Sequence, residues 1–158
     1  MKKWLVFIGI AVFLIVALII NSYIQGINVK KEHYNYAVSI AKKDGKLVEI
    51  NQFHLYNGME TYYVVQGIDE NGKGKTVWIP ENKKKEITIL YNSNGKSKED
   101  IVKIVNKELN PYEIIAIKPG MEKDTPLWEV TFKDEKGRFS YYYFDFRTGE
   151  WLKFYRSI

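Results

Sequence analysis

Apolar and polar positions divide this chain into two regimes. From Trp4 to Ile20, WLVFIGIAVFLIVALII, seventeen residues pass without a charge or a strongly hydrogen-bonding side chain. Extended through Tyr23 and Ile24, the run reaches about 20 residues, roughly 30 Å of helix, the hydrocarbon thickness of a bilayer. It is apolar on every side, so it does not read as a core helix with one buried stripe. Beyond Asn21 and Ser22 the pattern turns periodic. Tyr34, Ala37, Val38 and Ala41 recur at spacings of three and four, which predicts a helix over 31–43, stopped by Asp44-Gly45. This helix either continues from the apolar run or breaks at Gly26 and Asn28. Ile101, Val102, Val105 and Leu109 repeat the pattern over 98–109, opened by Ser97-Lys98-Glu99-Asp100 as a capping box and closed by Asn110-Pro111.

Strands are predicted over 47–56, 61–68, 75–79, 113–117, 127–133, 139–146 and 150–155. Residues 87–91 form either an edge strand or a link. Trp128, Val130 and Phe132 alternate with Glu129, Thr131 and Lys133, the mark of a half-buried strand, whose apolar face is expected to pack on the helix 101–109. Asp69 to Gly72 and Asp134 to Gly137 predict hairpin turns in which glycine takes the positive φ, and Arg147-Thr148-Gly149 predicts a third. Six of the eight residues from Phe139 to Phe146 are aromatic. Two registers of the last hairpins place opposite faces of this strand toward the core. The reading is therefore open between a core with a tyrosine-rich edge and an exposed contact surface.

The polar segments carry an internal repeat. Asp69-Glu70-Asn71-Gly72-Lys73 returns as Asp134-Glu135-Lys136-Gly137-Arg138 at an offset of 65. Tyr63-x-Val65 returns as Trp128-x-Val130, and Val77-Trp78-Ile79 as Tyr142-Tyr143-Phe144, at the same offset. A helix precedes each copy. The expected fold is α+β: an N-terminal transmembrane helix, then two tandem units of a helix laid on an antiparallel sheet. The expected organisation is a cytoplasmic tail (1–3), an anchor (4–24), a first unit (30–92) and a second unit (96–158). Whether the segment 91–98 is a linker or a packed turn stays open.

Composition then removes options. Lys2 and Lys3 precede the apolar run, with Trp4 and Tyr23 at its two interfaces, so the N-terminus is expected in the cytoplasm and the C-terminal domain outside a single-pass cell-membrane anchor. The exit sequence Ala17-Leu18-Ile19-Ile20-Asn21-Ser22 is a poor signal-peptidase site, which favours an uncleaved anchor. The chain has no cysteine, hence no disulfide, thiol nucleophile or lipidated cysteine. An exported domain without disulfides points toward a Gram-positive bacterium. The net charge of +5 includes Lys2 and Lys3. The remainder is too mild to argue for nucleic acid. Lys83-Lys84-Lys85 reads as a solvated loop or as a contact with anionic wall polymers or lipid head groups.

Catalytic patterns are wanting. His33 and His54 lie in different elements, and no H-E-x-x-H or G-x-S-x-G is present. In neither frame does Gly72-Lys73-Gly74-Lys75 complete the G-x-x-x-x-G-K-[ST] pattern of a phosphate loop. Asp69, Glu70, Asp134 and Glu135 are expected to sit in turns as solvated carboxylates. No catalytic residue, metal ligand or cofactor site is expected.

The stretch Trp128-Glu129-Val130, Asp134-x-x-Gly137, Tyr142-Tyr143-Phe144-Asp145-x-x-Thr148-Gly149-Glu150 resembles a PepSY domain, a small cystatin-like module common outside bacterial membranes. With a basic tail, one anchor and a first unit carrying G-I-D-E-N-G-K-G-K-T-V-W-I-P, the whole chain resembles the YpmB, or TseB-like, family of Gram-positive bacteria. That resemblance implies a non-enzymatic, membrane-anchored regulator of cell-wall elongation working beside a class B penicillin-binding protein, the transpeptidase that crosslinks peptidoglycan. Tyr141, Tyr143, Trp78 and Trp151 are the candidate partner-binding residues. The alternatives are an extracytoplasmic protease inhibitor of the PepSY type, a wall-polymer binding module, and an enzyme using surface carboxylates.

Overall fold

A computed structural model describes residues 2–156, apart from the side chains of residues 2, 3, 5–11, 27 and 28. One helix, α1, spans Lys2–Lys43, so Gly26 and Asn28 do not end it. The chain divides at residue 36. In the N-terminal part, Val12, Phe13, Leu14, Ile15, Val16, Leu18, Ile19 and Ile20 are each 46–72% exposed. Successive residues point around the whole helix, so no side of it is covered. Water tolerates such a cylinder poorly, and a bilayer accommodates it. This segment is a candidate membrane anchor. Trp4 and Tyr23 are exposed on it, whereas the side chains of Lys2 and Lys3 lie outside the described residues.

Residues 37–158 build two four-stranded antiparallel sheets, each in simple sequential order. The first contains β1 (Leu47–Asn57), β2 (Thr61–Asp69), β3 (Gly74–Pro80) and β4 (Thr88–Tyr91). The second contains β5 (Glu113–Glu122), β6 (Thr125–Lys133), β7 (Phe139–Asp145) and β8 (Trp151–Arg156). Helix α2 (Lys98–Leu109) starts the second unit. The offset of 65 survives in the pairing register: Val65 faces Val77 as Val130 faces Tyr142, and Tyr63 faces Ile79 as Trp128 faces Phe144. The repeat is thus a repeat of fold.

The turns explain why the repeated aspartates are there. Asp69 Oδ1 accepts from the backbone N–H groups of Asn71 and Lys73, and Asp134 Oδ1 from those of Lys136 and Arg138. Gly72 and Gly137 both adopt φ of 74°, the left-handed conformation a Cβ disfavours. Helix α2 opens as its sequence dictates. Ser97 Oγ accepts from the Asp100 N–H, and the Asp100 carboxylate accepts from the Ser97 N–H, completing the capping box. Those bonds hold the Asp100 carboxyl below the usual carboxylate range.

Each sheet has a helix-side face and an outer face. On the first sheet, Val65 and Val77 lie on the helix side with Ala37 and Ala41 of α1. A Cβ on Gly45 would stand 2.7 Å from Val77 Cγ2 and 2.5 Å from the Ala41 carbonyl, which is why the helix ends on glycine there. On the second sheet, Trp128, Val130, Phe132, Tyr142 and Phe144 join Ile101 and Val105 of α2 in one core. This is the alternation expected for β6, packed on the expected helix.

Two elements differ from their expected form. Strand β5 continues past Ile117 to Glu122 through Pro119 and Gly120. It is an edge strand, where a proline forfeits no essential ladder bond. Residues 88–91 form an edge strand rather than a link. Segment 91–98 is a packed turn. Asn92 accepts from Thr76 Oγ1 at 2.8 Å, the Lys96 N–H donates to the Phe146 carbonyl at 2.8 Å, and Trp128 Nε1 donates to the Lys96 carbonyl at 3.1 Å.

Candidate interaction surface

The outer face of the first sheet is closed by the second unit. Tyr56, Tyr62, Val64 and Trp78 from this face share a core with Met121, Leu127, Trp128 and Phe146. Phe146 sits between two tryptophans, edge-on to Trp78 at 5.0 Å between ring centroids and stacked on Trp128 at 5.7 Å. Tyr56 lies on Gly120, where a Cβ would come within 2.4 Å of its ring. Its hydroxyl donates to Glu122 at 3.0 Å, and Lys153 also bonds Glu122. Burial first, then the Glu122 carboxylate, raises the Tyr56 phenol far above its ordinary pKa. At the rim, Lys85 Nζ reaches Glu60 at 2.7 Å and Asp124 at 3.4 Å, tying the tips of the β1–β2 and β5–β6 hairpins. Lys85 of the basic cluster is therefore a structural bridge, while Lys83 and Lys84 are exposed.

The seam corrects one expectation. Trp78 is fully buried, so it does not offer a surface to a partner. The strand pattern Val77-Trp78-Ile79 is apolar on both faces because β3 is covered on both of its faces, a condition that no single strand reveals.

The same face of the second sheet is only partly closed. Tyr56 covers its end nearest the seam. Exposure rises from Leu127 (1%) through Tyr143 (8%) to Tyr141 (38%) and Tyr155 (58%). Tyr143 is the repeat equivalent of Trp78, and its burial is a second correction. Its ring meets Tyr155 edge-on at 5.9 Å, and Lys153 Nζ stands 4.4 Å from its centroid. Burial and then Glu129 push its phenol well above the ordinary value. Tyr141 faces Tyr155 across the β7–β8 ladder and Thr131 across the β6–β7 ladder. Phe139 and Ile115 are exposed near this row, with Lys133 Nζ 5.4 Å from the Phe139 centroid. The result is a flat, open, aromatic surface rimmed by lysines.

Trp151 does not share this surface. It belongs to the helix side of edge strand β8, stacked near Tyr142 and Phe154. There it lines a groove of about 250 Å³ with Glu108, Leu109, Tyr142, Phe144 and Phe154. Of the four candidates, the structure therefore leaves Tyr141 and Trp151 exposed on opposite faces. Sequence reasoning missed Tyr155, Phe154 and Leu152. The signal was present: Trp151-Leu152-Lys153-Phe154-Tyr155-Arg156 has apolar residues of both parities, and the β7–β8 register shifts between Tyr143 and Phe144.

The two histidines lie on different elements. His54 bonds Gln52 at 3.1 Å, and burial followed by Lys118 and Lys98 lowers its pKa, which keeps it neutral. His33 lies on α1. Among the described residues, no three His, Asp or Glu side chains cluster as a metal site would need.

Comparison with other proteins follows the same division. Residues 36–80 match the domain described as "Cell wall elongation regulator TseB-like domain". Residues 95–155 match "Peptidase propeptide and YPEB domain", the PepSY module. The chain is 36% identical over 155 residues, 96% of each chain, to the Bacillus subtilis (strain 168) protein named "Probable cell wall elongation regulator TseB". The solved structure of the YpmB protein from Bacillus subtilis aligns with a TM-score of 0.73 at 34% identity, covering 78% of this chain and 96% of that one. On this similarity along nearly its full length, and on the two matched modules, the chain belongs to the TseB-like family of cell wall elongation regulators.

Proposed function

We propose that this regulator acts without catalysis, as a membrane-tethered adaptor whose second sheet binds a class B penicillin-binding transpeptidase outside the cell. The anchor fixes the domain in the plane of the membrane, with Lys2 and Lys3 on the cytoplasmic side. Tethering raises the effective concentration of a membrane-bound partner, so a modest contact is enough for occupancy. The carrying observation is the inequality of two equivalent faces. The outer face of the first sheet is spent on the second unit, through Tyr56, Tyr62 and Trp78. The corresponding face of the second sheet keeps Tyr141 and Tyr155 exposed beside Phe139 and Ile115. Tyrosines are favoured interface anchors because they bring large area at low entropic cost together with a polar tip.

The test is complementation in cells lacking the gene. Tyr155→Glu and Tyr141→Glu, with stability and membrane level matched to wild type, are expected to lose elongation control. Lys103→Glu on the solvent side of α2 is expected to complement. Full complementation by both tyrosine variants, or by a secreted domain lacking residues 1–24, contradicts the proposal.

A further inference from the structure

A second site lies at the far end of the second unit, away from the seam. A pocket of about 320 Å³ opens between the C-terminus of α2 and the β6–β7 hairpin, lined by Asn110, Phe132, Asp134, Arg138, Tyr142 and Arg156 among others. Two of its cations are not equivalent. Arg138 is committed to Asp134, with Nε at 2.9 Å and Nη2 at 2.7 Å from Oδ2. Arg156 has no carboxylate partner among the described residues. It donates to the Tyr142 hydroxyl at 3.2 Å and lies 6.0 Å from the Phe154 ring centroid. The Tyr142 hydroxyl accepts that bond and donates to no acceptor among the described residues.

Ser140 lies under this lining. It faces Phe132 on β6 and Arg156 on β8. It shares a strand face with Tyr142, and Arg138 immediately precedes the strand. Every one of these four neighbours lines the pocket. Ser140 is fully buried, and its Oγ has no hydrogen-bond partner. A buried hydroxyl without a partner costs free energy that alanine avoids. Ser140 does not itself line the pocket; it supports the lining from beneath, at the cost of that unpaired hydroxyl.

We infer that this pocket binds a phosphate group, held by the Arg156 guanidinium and the Tyr142 hydroxyl with Lys136 at the rim. The donors come from two strands and a turn and approach from several sides. That arrangement suits a tetrahedral oxyanion better than a planar carboxylate. Asp134 is already paired with Arg138 and two backbone N–H groups, and the remaining lining charges, Glu135 against Lys136 and Arg156, leave a net positive charge. The inference does not depend on the transpeptidase contact, which uses the other face.

The experiment is an amide-resolved NMR titration of the full-length protein in detergent micelles with three probes: inorganic phosphate, a soluble glycerol-phosphate oligomer, and nanodiscs containing phosphatidylglycerol. Saturable shifts of residues 136–142 and 156 with phosphate are expected. A tighter response to the oligomer assigns a phosphodiester polymer as the source, and the same shifts in the nanodiscs without added probe assign a lipid head group. Arg156→Gln is expected to weaken binding about tenfold, the loss of one charge-assisted contact. Tyr142→Phe is expected to weaken binding without lowering the melting temperature of the free protein, a split that a purely structural tyrosine does not give. Lys84→Gln, on the exposed basic cluster, is the control and is expected to change nothing. No saturable shift with any probe overturns the inference, as does equal weakening by Arg156→Gln and Lys84→Gln.

Discussion

The two sheets of this protein have the same strand order and the same register offset, yet opposite fates. In the first, the central strands β2 and β3 are buried on both faces, under the end of α1 on one side and against the second unit on the other. The second is buried on its helix side and left open over much of its outer side. Position 78 and its equivalent 143 show how a repeat diverges. Trp78 is fully enclosed in the seam, whereas Tyr143 sits at the margin where cover gives way to the open tyrosine row. One copy has become a structural base, and the other presents a surface.

The comparison also separates two turns of identical geometry. Asp69 is 3% exposed and pairs with Lys75 at 3.1 Å, and that lysine also donates to the Gly45 carbonyl. Asp134 pairs with a half-exposed Arg138. The same backbone motif is therefore locked into the base of the first unit and carried near the surface in the second.

Substitutions can break the comparison, beginning with the largest effect. Trp78→Ala opens a cavity in the core shared by both units and is expected to cost about 3–5 kcal/mol. Chemical denaturation of the full-length protein in micelles should show both sheets affected in one transition. Loss of the first sheet alone, with the second unchanged, would mean that the seam is not integral.

Asp69→Asn is expected to lower the melting temperature more than Asp134→Asn, because Lys75 is left buried without its counter-charge while Arg138 reaches water. Hydrogen bonds from Lys73 are the first cause holding the Asp69 carboxyl below its ordinary value, with Lys75 and Asn71 adding to it. A depressed carboxyl contributes stability that is complete above the unfolded pKa of about 4 and fades as pH falls below it. Wild type should therefore lose stability on acidification through that window more steeply than Asp69→Asn. Equal slopes would remove Asp69 from the account.

Gly120→Ala drives a methyl into the Tyr56 ring, and overpacking of this kind costs roughly 1–3 kcal/mol. Gly72→Ala, at an open turn position with positive φ, should cost about 1 kcal/mol or less through backbone strain alone. A reversed order, read by thermal melting, would show that Tyr56 swings away from the seam freely. Smallest is Trp151→Ala on the exposed β8 edge, expected within about 0.5 kcal/mol because little packing is lost at such a surface position.

Much of this fold was legible because its signals are local. The capping box at Ser97, the glycine turns at Gly72 and Gly137, and the alternation Trp128-Val130-Phe132 each follow from a few neighbouring residues. The candidate anchor was legible because it is apolar on all sides. What the pattern did not reveal was long-range. Trp78 looked like a surface aromatic, since nothing near it in sequence announces that Phe146 will cover it. Strand β5 was cut short at Pro119 because proline and glycine read as a turn. Their places on an edge strand, and beneath Tyr56, depend on the other unit. The face of β7 stayed open because Phe139 to Phe146 is aromatic at both parities, and only the pairing with Thr131 and Tyr155 decides that Tyr141 points outward. Interaction surfaces are hard to read for the same reason, since exposure is set by what the rest of the chain leaves uncovered.

The most direct test of the account places a photo-activatable amino acid at Tyr155 on the open outer face, and separately at Ile89 on the edge strand of the first sheet, in full-length protein in its native membrane. Crosslinked partners are then identified by mass spectrometry. The account predicts capture of a class B penicillin-binding transpeptidase from residue 155 and not from residue 89. Capture from residue 89 alone, or capture of a protease in place of a transpeptidase at residue 155, would contradict it.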